Sequence, residues 1–334
     1  MQTQVRAALV LALSVLSACG SVSTAPREAA VRAAEPTAPV RSPPPPEGAA
    51  VAGRVAITVD DLGVSRESSD PEVSRKILGS LAAAQAPVAV FANCKALDPS
   101  TLSLWQHAGA TIGNHTQTHL SLEDVDAANA AAREAWQSDV KSCDEALSGM
   151  LGERVRYFRY PYLRYGASEA QRGFAEAYLR SLRYRIAHVT AATSEWLLAQ
   201  YYDAALAASD RALAEELSQA YVDHMLETLA EARRWTKEKI GHDAAQITLL
   251  HVNTLARDHL GSVLRALSAA GWQFISLEEA LADPLYARAD EYVGHCGCSW
   301  LARIAPPLTP TDDYFFGDAE QALTDRFAKR VVGH

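Results

Sequence analysis

The stretch "RVAITVDDLG", Arg54 to Gly63, decides how the rest of the chain is read. Val55, Ile57 and Val59 alternate as β-branched residues and the run stops at Gly63, the pattern of a buried strand that ends in a turn. It closes on two adjacent carboxylates, Asp60 and Asp61. Neighbouring side chains on a strand point to opposite faces, so the pair is expected to diverge and do different jobs. Aspartate is also common in solvated turns, so the pair by itself carries little.

Outward from this strand the chain alternates between two periods. "PVAVFANC", "TIGNH", "VRYFRYPY", "YRIAHVTA", "QITLLHVN" and "WQFISL" read as strands. Between them, "PEVSRKILGSLAAAQA", "DPSTLSLWQHAGA", the long run from Glu123 to Leu151 and "DHLGSVLRALSAAG" have helical spacing. Residues Ser209 to Lys239 form the longest helical pattern, large for a connector. Strands alternating with helices imply parallel strands in an α/β fold.

One regularity then matters most: polar residues sit just past strand ends, at Asp60 and Asp61, His115, Arg159 and His251. In α/β barrels such residues meet in one site, however far apart in sequence. His115 and His119 in "HTQTH" are spaced i, i+4, which on a helical turn puts both rings on one face, able to grip one metal ion. Imidazole suits zinc, and a carboxylate such as Asp61 supplies a third ligand, leaving a position for water. That ligand set does not select zinc over cobalt or nickel. Arg159 in "FRYPY" would orient a neighbouring carboxylate. His251 ends an apolar run, where a lone histidine is more often a core residue than a catalyst.

The order "TVDD", "HTQTH", "RYPY", "LLH" resembles the polysaccharide deacetylases of the NodB-homology type, carbohydrate esterase family 4, from about Arg54 to Leu281. The tail segments "LEEALADPLY" and "EYVGHCGCSWLARI" resemble a bacterial subset of the same family. The resemblance implies a distorted (β/α)7-type barrel and a divalent metal, zinc above all, held by Asp61, His115 and His119. It implies Asp60 as general base, His251 as general acid, Arg159 as the residue that orients the base, and the backbone N–H of Tyr162 as oxyanion donor. Trp196 and Leu249 would line the acetyl pocket. Val59 and Leu62 flank the Asp pair where the family has Phe and Gly. Ala192 stands where its fourth motif has a first aspartate and Glu195 where it has a second. Loss of that first aspartate is expected to loosen Arg159 and weaken Asp60 as a base. Two readings follow: a metal-dependent hydrolase removing acetyl groups from an N-acetylated or O-acetylated glycan, or a catalytically weakened glycan-binding envelope lipoprotein on the same scaffold.

Composition sets the frame. Of 334 residues, 49% are hydrophobic and 21% charged, with a formal net charge of −9, which is ordinary globular composition. No basic stripe is present, which argues against a nucleic-acid partner. Arg6 precedes an apolar run from Ala7 to Leu16 and then "LSAC". The run is too short to span a bilayer and fits a secretory signal, residues 1–18, with Cys19 as the lipidated first residue of a lipoprotein. Gly20 after it favours, by resemblance, the outer membrane of a Gram-negative cell. Residues 19–52, with four prolines from Pro43 to Pro46, read as an extended tether, and 53–334 as the deacetylase-like domain. Cys94, Cys143, Cys296 and Cys298 remain, with three pairings open. Cys94 with Cys143 is one candidate; Cys296 and Cys298 could bond to each other only in a tight, strained loop.

Overall fold

A computed structural model of the protein describes residues 52–295, 298–304 and 318–331. The expectations for Cys19, for residues 1–18, for the tether up to residue 51 and for Cys296 lie outside the described residues.

Every strand pairing is parallel. The strands are β1 (Gly53–Leu62), β2 (Val88–Ala92), β3 (Thr111–Asn114), β4 (Tyr157–Phe158), β5 (Arg185–Ile186), β6 (Gln246–Ile247), β7 (Leu250–His251) and β8 (Trp272–Ile275). They run in the order β5-β4-β3-β2-β1-β6, with β7 and β8 also on β1. β6 and β7 keep one register along β1, Val55 facing Gln246 and Asp60 facing His251. They are therefore one interrupted strand on one edge of β1. The opposite edge is shared: β8 pairs its first half and β2 its second. The curled sheet meets itself beyond β5, where Ala191 bridges to Thr248 and the Thr190 and Ala191 N–H groups donate to Ile247 O at 3.1 Å. Counting β6/β7 once gives seven strands among the described residues, the distorted (β/α)7-type barrel the resemblance implied.

Helices clothe this sheet where amphipathic faces and caps agree. Helix α1 (Pro71–Ala83) starts on Asp70, which accepts from the Glu72 N–H, and buries Val73, Ile77 and Leu81. Helix α2 (Pro99–His107) starts in the same way on Asp98. The expected single helix from Glu123 is shorter. A one-turn 3₁₀ helix covers Leu122–Asp124, and α3 (Ala130–Leu151) begins only after Asn129, whose side chain accepts from Ala131 and Ala132 N–H. Caps by Ser121 and Asn129 outcompete continuation of the helix through Asp124 to Ala128. α4 (Glu169–Ser181) and α5 (Glu195–Ala207) follow. The long pattern after Ser209 is α6 (Arg211–Trp235), extended by one π turn over Thr236–Ile240 and stopped at Gly241 with φ 87°. α7 (Thr254–Ala269) and the short α8 (Leu277–Leu281) and α9 (Trp300–Ile304) precede α10 (Asp318–Val331). Among the described residues no helix is long and apolar enough to cross a membrane.

Of the three cysteine pairings, the structure closes Cys94 with Cys143, Cα to Cα 5.2 Å and 49 residues apart, tying the end of β2 to α3. Cross-linking a loop of this length removes unfolded-state entropy. Cys94→Ser/Cys143→Ser is expected to lower stability by about 2–4 kcal/mol in denaturant unfolding, with no change when reductant is added to the variant.

Candidate metal centre and its acid–base pair

The site begins with an irregularity in β1. Val59 pairs with Val90 and Leu62 with Ala92, so Asp60 and Asp61 together face the single residue Phe91. That is a β-bulge, and Asp61 takes a left-handed φ of 68° within it. The expected divergence of the two carboxylates does not occur. His115 Nε2 stands 3.7 Å from Asp60 Oδ2 and 3.4 Å from Asp61 Oδ1, so both acids turn to one ring. The extra residue breaks the alternation from which the divergence was read.

His115 and His119 do meet, but not on a helical turn. Residues 115–120 form a loop, with left-handed φ at Thr116 (69°) and His119 (63°). Side chains supply what a helix would have given. Asn114 Oδ1 accepts from Thr116 N–H at 2.7 Å, Asn93 Nδ2 donates to His115 O at 2.6 Å, and Asp139 of α3 accepts from the Thr118 N–H and hydroxyl. The ring centroids end 4.9 Å apart. Asn93 and Asp139 went unnoticed in the sequence, because a single polar residue after a strand or inside a helix gives no signal of its long-range partner.

His115 Nδ1 lies 2.8 Å from the carbonyl of Arg159. A carbonyl only accepts, so Nδ1 carries the proton and Nε2 presents its lone pair. This is the arrangement that orients a metal-ligating histidine. His119 Nε2 lies 3.1 Å from the same Asp61 Oδ1. The three ligand atoms of Asp61, His115 and His119 fall within 4.8 Å of one another. Asp61 Oδ1 is buried and accepts no hydrogen bond of ordinary geometry. Burial alone would raise the Asp61 carboxyl, but its polar contacts with His115 and His119, and the charge of His251, hold it well below the usual carboxylate range. An ionised, undonated oxygen among imidazole nitrogens is the complement of a cation, and this donor set suits zinc or a similar divalent ion.

Asp60 is held from the other side by Arg159, which is fully buried. Its Nη1 donates to both Asp60 oxygens at 3.2 Å, Nη2 to Thr58 Oγ1 at 3.0 Å and Nε to Ala187 O at 2.7 Å. Its guanidinium also lies 4.5 Å over the Phe91 ring. Gly113 permits this stack, since a Cβ there would stand 2.4 Å from Phe91 Cε1. The expectation that Ala192 would loosen Arg159 is therefore corrected: Thr58, Ala187 and Asp60 occupy the guanidinium without an aspartate at 192.

His251 reaches the site through strand register, opposite Asp60. Its Nδ1 lies 2.8 Å from Glu195 Oε2, and Asn253 Nδ2 donates to Glu195 Oε1. Burial would lower the His251 pKa, but the hydrogen bond and charge of the buried Glu195 overcome this and raise it to about 9. Tyr162, with φ 58° after Pro161, sets its ring 4.3 Å from that of His119. Trp196 lies in the first turn of α5, 38% exposed, and Leu249 is buried between β6 and β7.

Residues 48–175 match the sequence model of the polysaccharide deacetylase family. The NodB resemblance is borne out. The match spans the first three motifs and ends before Glu195 and His251. No curated protein matches the chain. Similar solved structures include the peptidoglycan deacetylase PdaC from Bacillus subtilis, at 17% identity, covering 69% of this chain and 92% of that one, TM-score 0.48. A family 4 carbohydrate esterase from Streptomyces lividans in complex with acetate has 17% identity, 69% and 97% coverage, and a TM-score of 0.46. A CE4 family pseudoenzyme from Bacillus anthracis has 13% identity, 68% and 65% coverage, and a TM-score of 0.48.

In the metal-free protein the His251 ring is expected to titrate at about 9 by NMR, and Glu195→Gln to bring it down towards the ordinary 6.5. Because the folded value is raised, the stabilisation from this pair is complete below pH 6.5 and is lost as pH climbs through about 9. An unchanged midpoint in Glu195→Gln would assign the shift to another group.

Proposed function

We propose that the protein is a metal-dependent carbohydrate deacetylase that removes acetyl groups from an acetylated glycan. The observation that carries this reading is the buried Asp61 oxygen facing His115 and His119, with Asp60 and His251 paired in register beside it. Asp61, His115 and His119 would hold a divalent cation, which when bound would supply Lewis acidity to water and to the acetyl carbonyl. Asp60, oriented by Arg159, takes a proton from the attacking water. The Tyr162 N–H serves as a donor to the developing oxyanion. His251, kept protonated by Glu195, gives its proton to the departing amine or alcohol of the sugar. Trp196 and Leu249 bound the acetyl pocket. Acetate and a sugar with a free amine or hydroxyl result.

The N-terminal sequence supports a cellular setting for this activity. Leu16-Ser17-Ala18-Cys19 followed by Gly20 makes the chain an exported lipoprotein anchored through Cys19, facing the periplasm. An envelope glycan is then the substrate within reach of the tether.

Acetate release from acetylated chito-oligosaccharides and peptidoglycan is expected to stop with chelator and return with Zn²⁺, Co²⁺ or Ni²⁺. Asp60→Asn should cut kcat by about 10²-fold or more with bound metal unchanged, whereas Asp61→Asn should lose the metal itself. No metal-dependent release from any N- or O-acetyl substrate would refute the reading. Ala192→Asp distinguishes an active enzyme from a decayed one: with Arg159 already held by Asp60, Thr58 and Ala187, restoring the aspartate is expected to change the rate by less than about threefold. A sharp rise would favour the weakened, glycan-binding alternative.

A further inference from the structure

The long helix α6 and Ala192 are both left unexplained by the metal centre, and they share a cavity. It measures about 320 Å³ and is walled by Ala192, by His224, Glu227, Thr228, Ala230, Glu231 and Arg234 of α6, and by Ala319 of α10. A volume of this order reaches the range of small-molecule sites, about 300–1,000 Å³. His224, Glu227, Thr228 and Glu231 are spaced i, i+3, i+4, i+7, so one helix face turns a polar stripe into the cavity. Ala192 and Ala319 opposite are too small to fill it.

The stripe is chemically specific. His224 is 8% exposed, and its Nε2 accepts from the Ser194 N–H at 3.0 Å. The ring proton therefore sits on Nδ1, which has no partner among the described residues. Burial lowers the His224 pKa to about 4, so the ring stays a neutral donor. Glu227 is exposed and makes no ion pair or hydrogen bond among the described residues, while Arg234 donates to both oxygens of Glu231, through Nε at 2.9 Å and through Nη2. The wall thus offers an N–H donor, a hydroxyl, the unmatched carboxylate of Glu227 and a closed Arg234–Glu231 ion pair that leaves the net charge of the lining negative. Among the described residues no Phe, Tyr or Trp joins the lining. This set suits a small polyhydroxylated molecule that carries an ammonium group.

We propose that this cavity is a binding subsite for a free-amine hexosamine unit, the ammonium on Glu227 and ring hydroxyls on His224 and Thr228. It shares the segment Ala192–Glu195 with the metal centre: Ser194, held by His224, precedes Glu195, which holds His251. The subsite would let the protein engage a glycan through a unit already stripped of its acetyl group. The ligand's identity rests on the deacetylase reading; the site does not.

Binding of a glucosamine tetramer and of its N-acetylated counterpart to the full chain, measured by calorimetry at about pH 6, where the amine is charged, tests this. The free-amine tetramer is expected to bind about tenfold more tightly than the acetylated one. Glu227→Gln should weaken it by about tenfold, and Ala319→Leu should abolish it by filling the cavity. Equal binding of both tetramers, no binding of the free-amine tetramer, or binding indifferent to both Glu227→Gln and Ala319→Leu would overturn the subsite. Failure of the deacetylase reading would show separately, as absent acetate release with this binding intact.

Discussion

The site depends on one extra residue in β1. Without the bulge, Asp60 and Asp61 would lie on opposite faces, one toward the barrel interior and the other toward the helices. With it, both carboxylates face the rings of β3's loop. A left-handed aspartate costs about 1–2 kcal/mol relative to extended backbone, a strain the surrounding structure must sustain. Phe91, opposite the bulge, is packed against Gly113 and under Arg159.

The residues behind the metal centre depend on their neighbours in the same way. Each polar group in the site fixes another's role. The Arg159 backbone carbonyl sets the tautomer of His115, while its side chain holds Asp60. Glu195 is wholly buried, a placement that would be costly for an unpartnered carboxylate, and its two oxygens are taken by His251 and Asn253. Asp60 and His251 thereby sit side by side in opposite electrostatic settings, one carboxylate against a guanidinium and one imidazole against a carboxylate.

The periphery is built differently from the centre. Helix α6 packs its apolar face on α5 and α7 yet gives a polar stripe to the cavity beside Ala192. A connector that had only to bridge β5 and β6 would not need a helix of this length. Its placement ties the fourth-motif segment, through the hydrogen bond from Ser194 to His224, to a surface remote in sequence.

What the sequence by itself determined was the parallel α/β fold, the ends of its strands, and the set of residues that gather there. Those features follow from local periodicity and from the rule that strand ends of a barrel share a face. Asp60, Asp61, His115, Arg159 and His251 were legible for that reason. The tertiary structure alone decided how they face one another. The alternation of a strand misplaced Asp61 because a bulge is a pairing event between strands, and i, i+4 spacing misread the His115–His119 loop because Asn93, Asn114 and Asp139 hold it from other elements. Nor does Ala192 decide how Arg159 is held, since the partners of a buried guanidinium are set by three-dimensional neighbours such as Thr58 and Ala187. Hydrogen bonds between residues a hundred positions apart leave no period in a sequence; they exist only once the barrel has closed.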